Sequence, residues 1–460
     1  MAATEPRAGE QEQGEATTSS NEARAPLPEG STGLPLLGET LAFGKDGYAF
    51  IADRLKRHGN VFRTRVLGRD AAVISGPASC DALLDAEKVQ RDGAMPPHVF
   101  SLFGGRSLPT LDGAEHRARK EIVLAAFGRD ALARYLPDVQ STIERHLSRW
   151  AKQDEVTIVD AAQSLALETI CRNVMSIEDE RTLDEIRRDY LIVAAGFNAL
   201  PIKIPGGALS KALSARDRLF SRFDAIIADH RAKKYDDGLA RMLDAKATDG
   251  TKLDDEQTKL ELHHVIVAGF VIFAELVGLV LHLGQHDDVR EKAREEVLAV
   301  APKGAFDPTS LRKLEHVTRV VDEVKRLTPI LPAIFAKAKK DFVHDGKTIP
   351  AGWMVLWALR STNVDPATYP NAESFDPDRF APGRAEHEKH PHAFVPHGPG
   401  GALSHRCPGA DYATIAMQIF AASLLRGYDW TLPPQRLELD TSRTPPLPKD
   451  GLRAKLTKRT

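Results

Sequence analysis

Phe394-Val395-Pro396-His397-Gly398-Pro399-Gly400-Gly401-Ala402-Leu403-Ser404-His405-Arg406-Cys407-Pro408-Gly409 runs straight into an apolar-periodic segment that ends near Leu425. Glycines at 398, 400, 401 and 409 let the backbone approach something flat, and Cys407 stands where the loop becomes a helix. Backbone N–H groups at a helix start favour negative charge, so a cysteine there is more readily held as thiolate, the species that ligates iron. His405 and Arg406 add positive charge beside it. Taken alone, a cysteine in a glycine-rich turn is more often a small buried side chain than a ligand. The neighbouring motifs decide between the two.

The stretch resembles the heme-binding loop of the cytochrome P-450 family, in which a Phe, a Gly and then Cys-x-Gly precede a long helix and the cysteine is the axial iron ligand. The resemblance implies that role for Cys407, sets Phe394, Arg406 and Gly409 around the cofactor, and makes the cofactor heme b (iron protoporphyrin IX). The loop departs from the family's pattern. Phe394 precedes Cys407 by thirteen positions, which is longer than usual, and Leu403 stands where a glycine is expected. Enlarged loops of this kind are similar to those of bacterial fatty-acid peroxygenases and plant allene oxide synthases.

A chain of 460 residues with 42% hydrophobic content can bury a large core. Its 62 Lys+Arg against 64 Asp+Glu leave a formal net charge of −2, so nothing in the balance points to nucleic acid. Cys80, Cys171 and Cys407 are far apart and odd in number, which argues for a reducing compartment and against a disulfide framework. Residues 1–25 are polar and expected to be a disordered tail. They hold no apolar run of anchor length, so a cytoplasmic, bacterial-type enzyme without a membrane anchor is expected. Residues 26–460 would form the heme domain.

Val61–Val66 and Ala71–Ser75 flank Gly68-Arg69-Asp70 and suggest a hairpin. Residues 89–112 make a long loop with large apolar side chains; in the family this connection covers the substrate, which makes Phe100 and Phe103 pocket candidates. Then Asp112–Lys120 opens a helix through Phe127, with His116 and Lys120 four apart on one face. The segment resembles the family's His-x-x-x-Arg, whose side chains hold a heme propionate, with Lys120 at the Arg position; lysine brings charge without a bidentate fork. His405 is a second propionate candidate. A further family arginine, after the Glu-x-x-Arg helix, is replaced by Ala336, with Lys337 beside it.

From Leu132 to His230 the pattern is helical with one break at Ala199–Gly207, similar to the family's lid, where Tyr190, Phe197 and Leu200 could touch substrate. The helix from about Asp255 to His286 is apolar nearly all round and so must be buried. It resembles the helix that crosses the distal heme face, making Ala268 and Phe270 pocket candidates. There the family places an acid and a threonine that relay protons to oxygen; this chain has Val271 and Ile272, neither of which can donate one. Glu275, about a turn on, is the nearest ionisable candidate. The peroxygenases use an Arg-Pro at this place, and no arginine occurs between Glu261 and Asp288.

Glu323 and Arg326 share a helix face in a Glu-x-x-Arg, and Phe375–Phe380 brings Arg379 about fifty residues later. In the family such a trio is a buried network under the heme loop, a structural role. Pro329–Phe335 and Trp353–Trp357 suggest short strands, with Ile330, Leu331 and Ile334 facing the active site if the resemblance holds.

The resemblance covers nearly the whole chain from Pro26. It implies a mainly α cytochrome P-450 fold, one large helical heme domain with a small β-rich lobe, and a monooxygenase oxidising a lipophilic small molecule such as a terpenoid, polyketide or fatty-acid derivative. An O2-dependent enzyme would need ferredoxin and ferredoxin reductase, with Arg117, Arg119 and Arg406 as a docking face; a peroxide-driven peroxygenase would need neither. A redox-neutral heme isomerase or dehydratase is an alternative of the same standing as the peroxygenase, and a non-catalytic heme-binding protein stands further off. So does a metal site built from His387, His390, His392, His397 and His405, which lie on Pro/Gly-rich sequence without a His-Glu-x-x-His.

Overall fold

The computed structural model describes residues 25–199 and 201–459, so the proposed tail, Ala25 apart, and Leu200 lie outside the described residues. Five strands, β1 (Val61–Val66), β2 (Arg69–Ile74), β3 (Val89–Gln90), β4 (Ile334–Ala338) and β5 (Met354–Trp357), form one sheet in the order β1-β2-β5-β4-β3. β1 and β2 are the expected hairpin, paired Val61 to Ile74 and Val66 to Arg69. Alternation carries Ala71 and Val73 into one core and Ala72 and Ile74 into another, so both faces are covered. The strand expected from Pro329 begins only at Ile334, because Pro329 and Pro332 have no N–H to give a ladder.

The larger body is helical: α1 (Pro97–Leu102), α2 (Gly113–Ala125), α3 (Arg129–Trp150), α4 (Ile158–Met175), α5 (Glu180–Phe197), α6 (Ala208–Ala232), α7 (Asp255–Val271), α8 (Phe273–Gln285), α9 (Glu315–Leu327) and α10 (Ala410–Gly427). The stretch from Leu132 to His230 therefore has two more interruptions than the one expected at the lid.

The apolar helix at the centre starts on a capping box, Asp254 with Gln257, and is divided at Ile272, whose carbonyl accepts from the N–H groups of both Glu275 and Leu276. The pair spans Asp255–Gln285 and is long and apolar enough to cross a membrane, yet 78% of that window is buried inside the protein. α7 packs on α4 and α6. A Cβ on Gly269 would stand 2.4 Å from Ile170 of α4, so only glycine permits this approach.

Below the sheet, Arg326 of α9 donates to Glu323 at 2.7 and 2.8 Å, and Arg379 donates to the same carboxylate at 3.0 Å, all three fully buried. Glu386, which the sequence did not suggest, takes the other side of Arg379 at 2.6 Å. Phe394 packs edge-on against Phe380, next to this network, with ring centroids 5.1 Å apart.

Candidate functional site

Cys407 is a free, half-buried thiol three residues before α10. Its N–H donates to the carbonyl of His397 at 2.8 Å, closing the enlarged loop on itself. Inside, Ser404 Oγ donates to Gly401 O at 2.7 Å; Gly400, at φ +92°, leaves no room for a Cβ, which would meet that oxygen at 2.6 Å. Leu403 is exposed on the rim. Burial raises the Cys407 thiol pKa, opposed by the N–H of Gly409 and the charges of Lys120 and Arg406, and reinforced by Glu275. His405 is not part of that balance.

Lys120 donates to the Arg406 carbonyl, so it fastens the loop to α2. Burial lowers its pKa to about 8. His116, one turn earlier, stacks on His405 with centroids 4.0 Å apart, and burial together with His405 and Lys120 lowers its pKa to about 3. Beside them is Arg91, missed in the sequence because it stands alone in an irregular segment. It is buried, its side chain donates to Phe335 O at 2.7 Å, and its N–H donates to Asp112 at 2.8 Å. The Arg91 guanidinium thus lies against the residue before Ala336, which is itself fully buried in β4. Burial pushes Asp112 up, but hydrogen bonds from His405 and from the N–H groups of Asp92 and Arg91 outweigh it, and His405 Nε2 lies 3.6 Å away.

Beyond the solvent-facing first turn and Lys259, the side chains of α7 with open surface are those of His264, Val267, Ala268 and Val271, spaced i, i+3, i+4, i+7 along one face. Phe270 and Ile272 turn the other way. Phe270 sits among Tyr190 and Phe273 in the core, and Ile272 lines a small apolar void with Ile143 and Leu276, so neither faces the open side. Tyr190 is also core, its hydroxyl 3.2 Å from His263 Nδ1. Glu275 is buried and faces His397 of the cysteine loop at 3.7 Å. Phe100 and Phe103 keep partial exposure, as do Ile330 and Ile334, and Leu331 is exposed. Phe103 packs on Phe197 at 5.3 Å and on His264 at 6.1 Å.

Of the basic trio, Arg117 is exposed and Arg406 partly so, but Arg119 is buried against Glu261 at 3.1 Å and cannot dock a partner. Among the described residues no group of three His, Cys, Asp or Glu side chains could hold a metal ion, because the loop histidines disperse: His392 to Asp81, His397 to Glu275, His405 to Asp112.

A soft sulfur donor at a helix head, a buried guanidinium beside two imidazoles and an apolar helix face suit heme in ligand type and charge. Fold and site together define a heme-dependent oxidoreductase. The chain belongs to the cytochrome P450 family, whose model matches residues 28–456. It is 31% identical over 444 residues to the putative cytochrome P450 120 of Synechocystis sp., covering 96% of this chain and 99% of that protein. Beta-amyrin 28-monooxygenase of Vitis vinifera is 29% identical, over 94% of this chain and 92% of its own. The solved structure of retinoic acid-bound cyanobacterial CYP120A1 superposes with a TM-score of 0.88 at 31% identity, covering 95% of this chain and all of that one. The cofactor is heme, and the mainly α architecture expected from the motifs is the family's fold.

Proposed function

We propose that Cys407 would ligate the heme iron and that the chain is an O2-dependent monooxygenase of a lipophilic, isoprenoid-like substrate. The observation that carries this is the open, apolar face of α7 at Val267, Ala268 and Val271, in a helix otherwise packed into the core. When bound, the heme supplies oxygen activation and its transfer to carbon. The chain does the rest. Arg91, His116 and His405 hold the heme carboxylates, and Lys120 fixes the loop through Arg406 O. Val267, Ala268, Val271 and Phe103 exclude water and orient an apolar skeleton. Since Val271 and Ile272 have no proton to give, protons reach the site from water or from the substrate's hydroxyl.

Retinoic acid, bound by one relative, and beta-amyrin, named in another, are both isoprenoid, which supports that substrate class. Arg117 and Arg406 offer an acidic ferredoxin an exposed basic contact beside the cysteine loop. The test compares product from a panel of isoprenoid acids and alcohols under two regimes: NADPH with ferredoxin, its reductase and catalase, or hydrogen peroxide alone. Product chiefly in the first is expected; product only with peroxide would make the chain a peroxygenase.

A further inference from the structure

Among the described residues, His264 is the one polar side chain on the open face of α7 between Leu260 and Val271, one turn before Ala268. Its neighbour His263 is wholly spent on structure: Nδ1 meets Tyr190 and Nε2 meets the Leu102 carbonyl at 3.0 Å. His264 has no such use. Its Nδ1 is buried without a hydrogen-bond partner, and the nearest charged atom is Glu261 Oε2 at 3.6 Å. Glu261 cannot leave that place, for it is fully buried, accepts from the Leu108 N–H at 3.0 Å and is ion-paired with Arg119. The aromatic rings of Phe103 and, behind it, Phe197 wall the other side.

Granted the lipophilic substrate proposed above, we propose that His264 is its polar anchor, accepting a hydrogen bond from a substrate hydroxyl at Nε2. The carboxylate on the Nδ1 side favours the proton on that nitrogen and leaves Nε2 as the acceptor. The side chain keeps 13% of its surface while Nδ1 is buried, so the open surface belongs to the rest of the side chain, which includes Nε2. An anionic head group does not suit the site, because a carboxylate has no proton to donate to Nε2. The substrate is then an amphiphile with its hydroxyl under the 97–110 segment and its apolar body along Val267, Ala268 and Val271.

Spectral titration of the heme-loaded, full-length protein tests this with three ligands of one skeleton: retinol, which donates, retinaldehyde, which only accepts, and retinoate, an anion. Wild type should bind retinol about tenfold more tightly than the aldehyde, the size of one good hydrogen bond. His264→Leu should erase that preference, and His264→Gln, which keeps an acceptor, should restore part of it. The carbon monoxide spectrum checks that each variant keeps its heme. An alcohol preference that survives in His264→Leu, retinoids bound without preference for the alcohol, or retinoate bound best would overturn the anchor and leave the isoprenoid class standing. Wild-type protein with normal heme that responds to none of the three would overturn that class itself, and the anchor with it.

Discussion

Glu275 Oε1 of α8 lies 3.7 Å from His397 Nε2, inside the loop that carries Cys407. The central helix pair therefore reaches the cysteine loop with a buried carboxylate whose other oxygen has no partner. Its charge raises the thiol pKa, and the same charge acts on any metal bound to the sulfur. Glu275→Gln keeps the shape and removes the charge. The reduction potential of the heme iron is expected to rise by roughly 50 mV, as for one charge removed at medium range in an effective dielectric of about 20. Potentiometric titration checks it; an unchanged or lower potential would refute the coupling.

Arg326 cannot be removed cheaply. Glu323 has no route to water, so Arg326→Leu leaves a buried carboxylate short of a partner, at an expected cost of about 3–5 kcal/mol. Urea unfolding measures this, and a loss below about 1 kcal/mol would mean that Arg379 alone satisfies the carboxylate.

Two cations near the loop should fail differently. Arg91→Leu removes a donor from the group with His116 and His405, so heme passes to a scavenging apoprotein about tenfold faster or more. Lys120→Met frees the Arg406 carbonyl instead, so the thiolate signature decays while heme is retained. Equal heme loss in both variants would put Lys120 among the carboxylate partners after all.

Acid should weaken the fold through buried histidines. Burial lowers the pKa of His263 to about 4 and of His282, stacked on Phe375, to about 3. Below about 6.5 the unfolded chain takes up protons that the folded one refuses, so stability present above that pH is lost as pH falls toward 4. The expected slope is about 1.4 kcal/mol per pH unit for each histidine. Unfolding curves from pH 7 to 4.5 read it directly, and His282→Phe should reduce it; a flat profile would contradict the assignment.

What could be read from the chain was what local pattern encodes: the glycine loop before an apolar helix, the Glu-x-x-Arg spacing, the hairpin at Gly68. Which way a side chain turns on an all-apolar helix is not encoded by pattern. Phe270 and Val271 look equally suited to a pocket in sequence, and only the packing of α7 on α4 and α6 separates them. Arg91 and Asp112 stand at the two ends of the 89–112 connection and His405 comes from the cysteine loop far along the chain, so no short window contains their relationship. His264 was hidden for another reason, since two adjacent histidines in a core helix look alike until one is seen to be hydrogen-bonded at both nitrogens.

Most depends on the sulfur. Reduced, heme-loaded protein under carbon monoxide should show the long-wavelength band of a thiolate-ligated heme, and Cys407→Ala should abolish it while Cys80→Ala and Cys171→Ala leave it in place. Absence of the band in the intact protein, or its survival in Cys407→Ala, would contradict the assignment of Cys407 as the iron ligand.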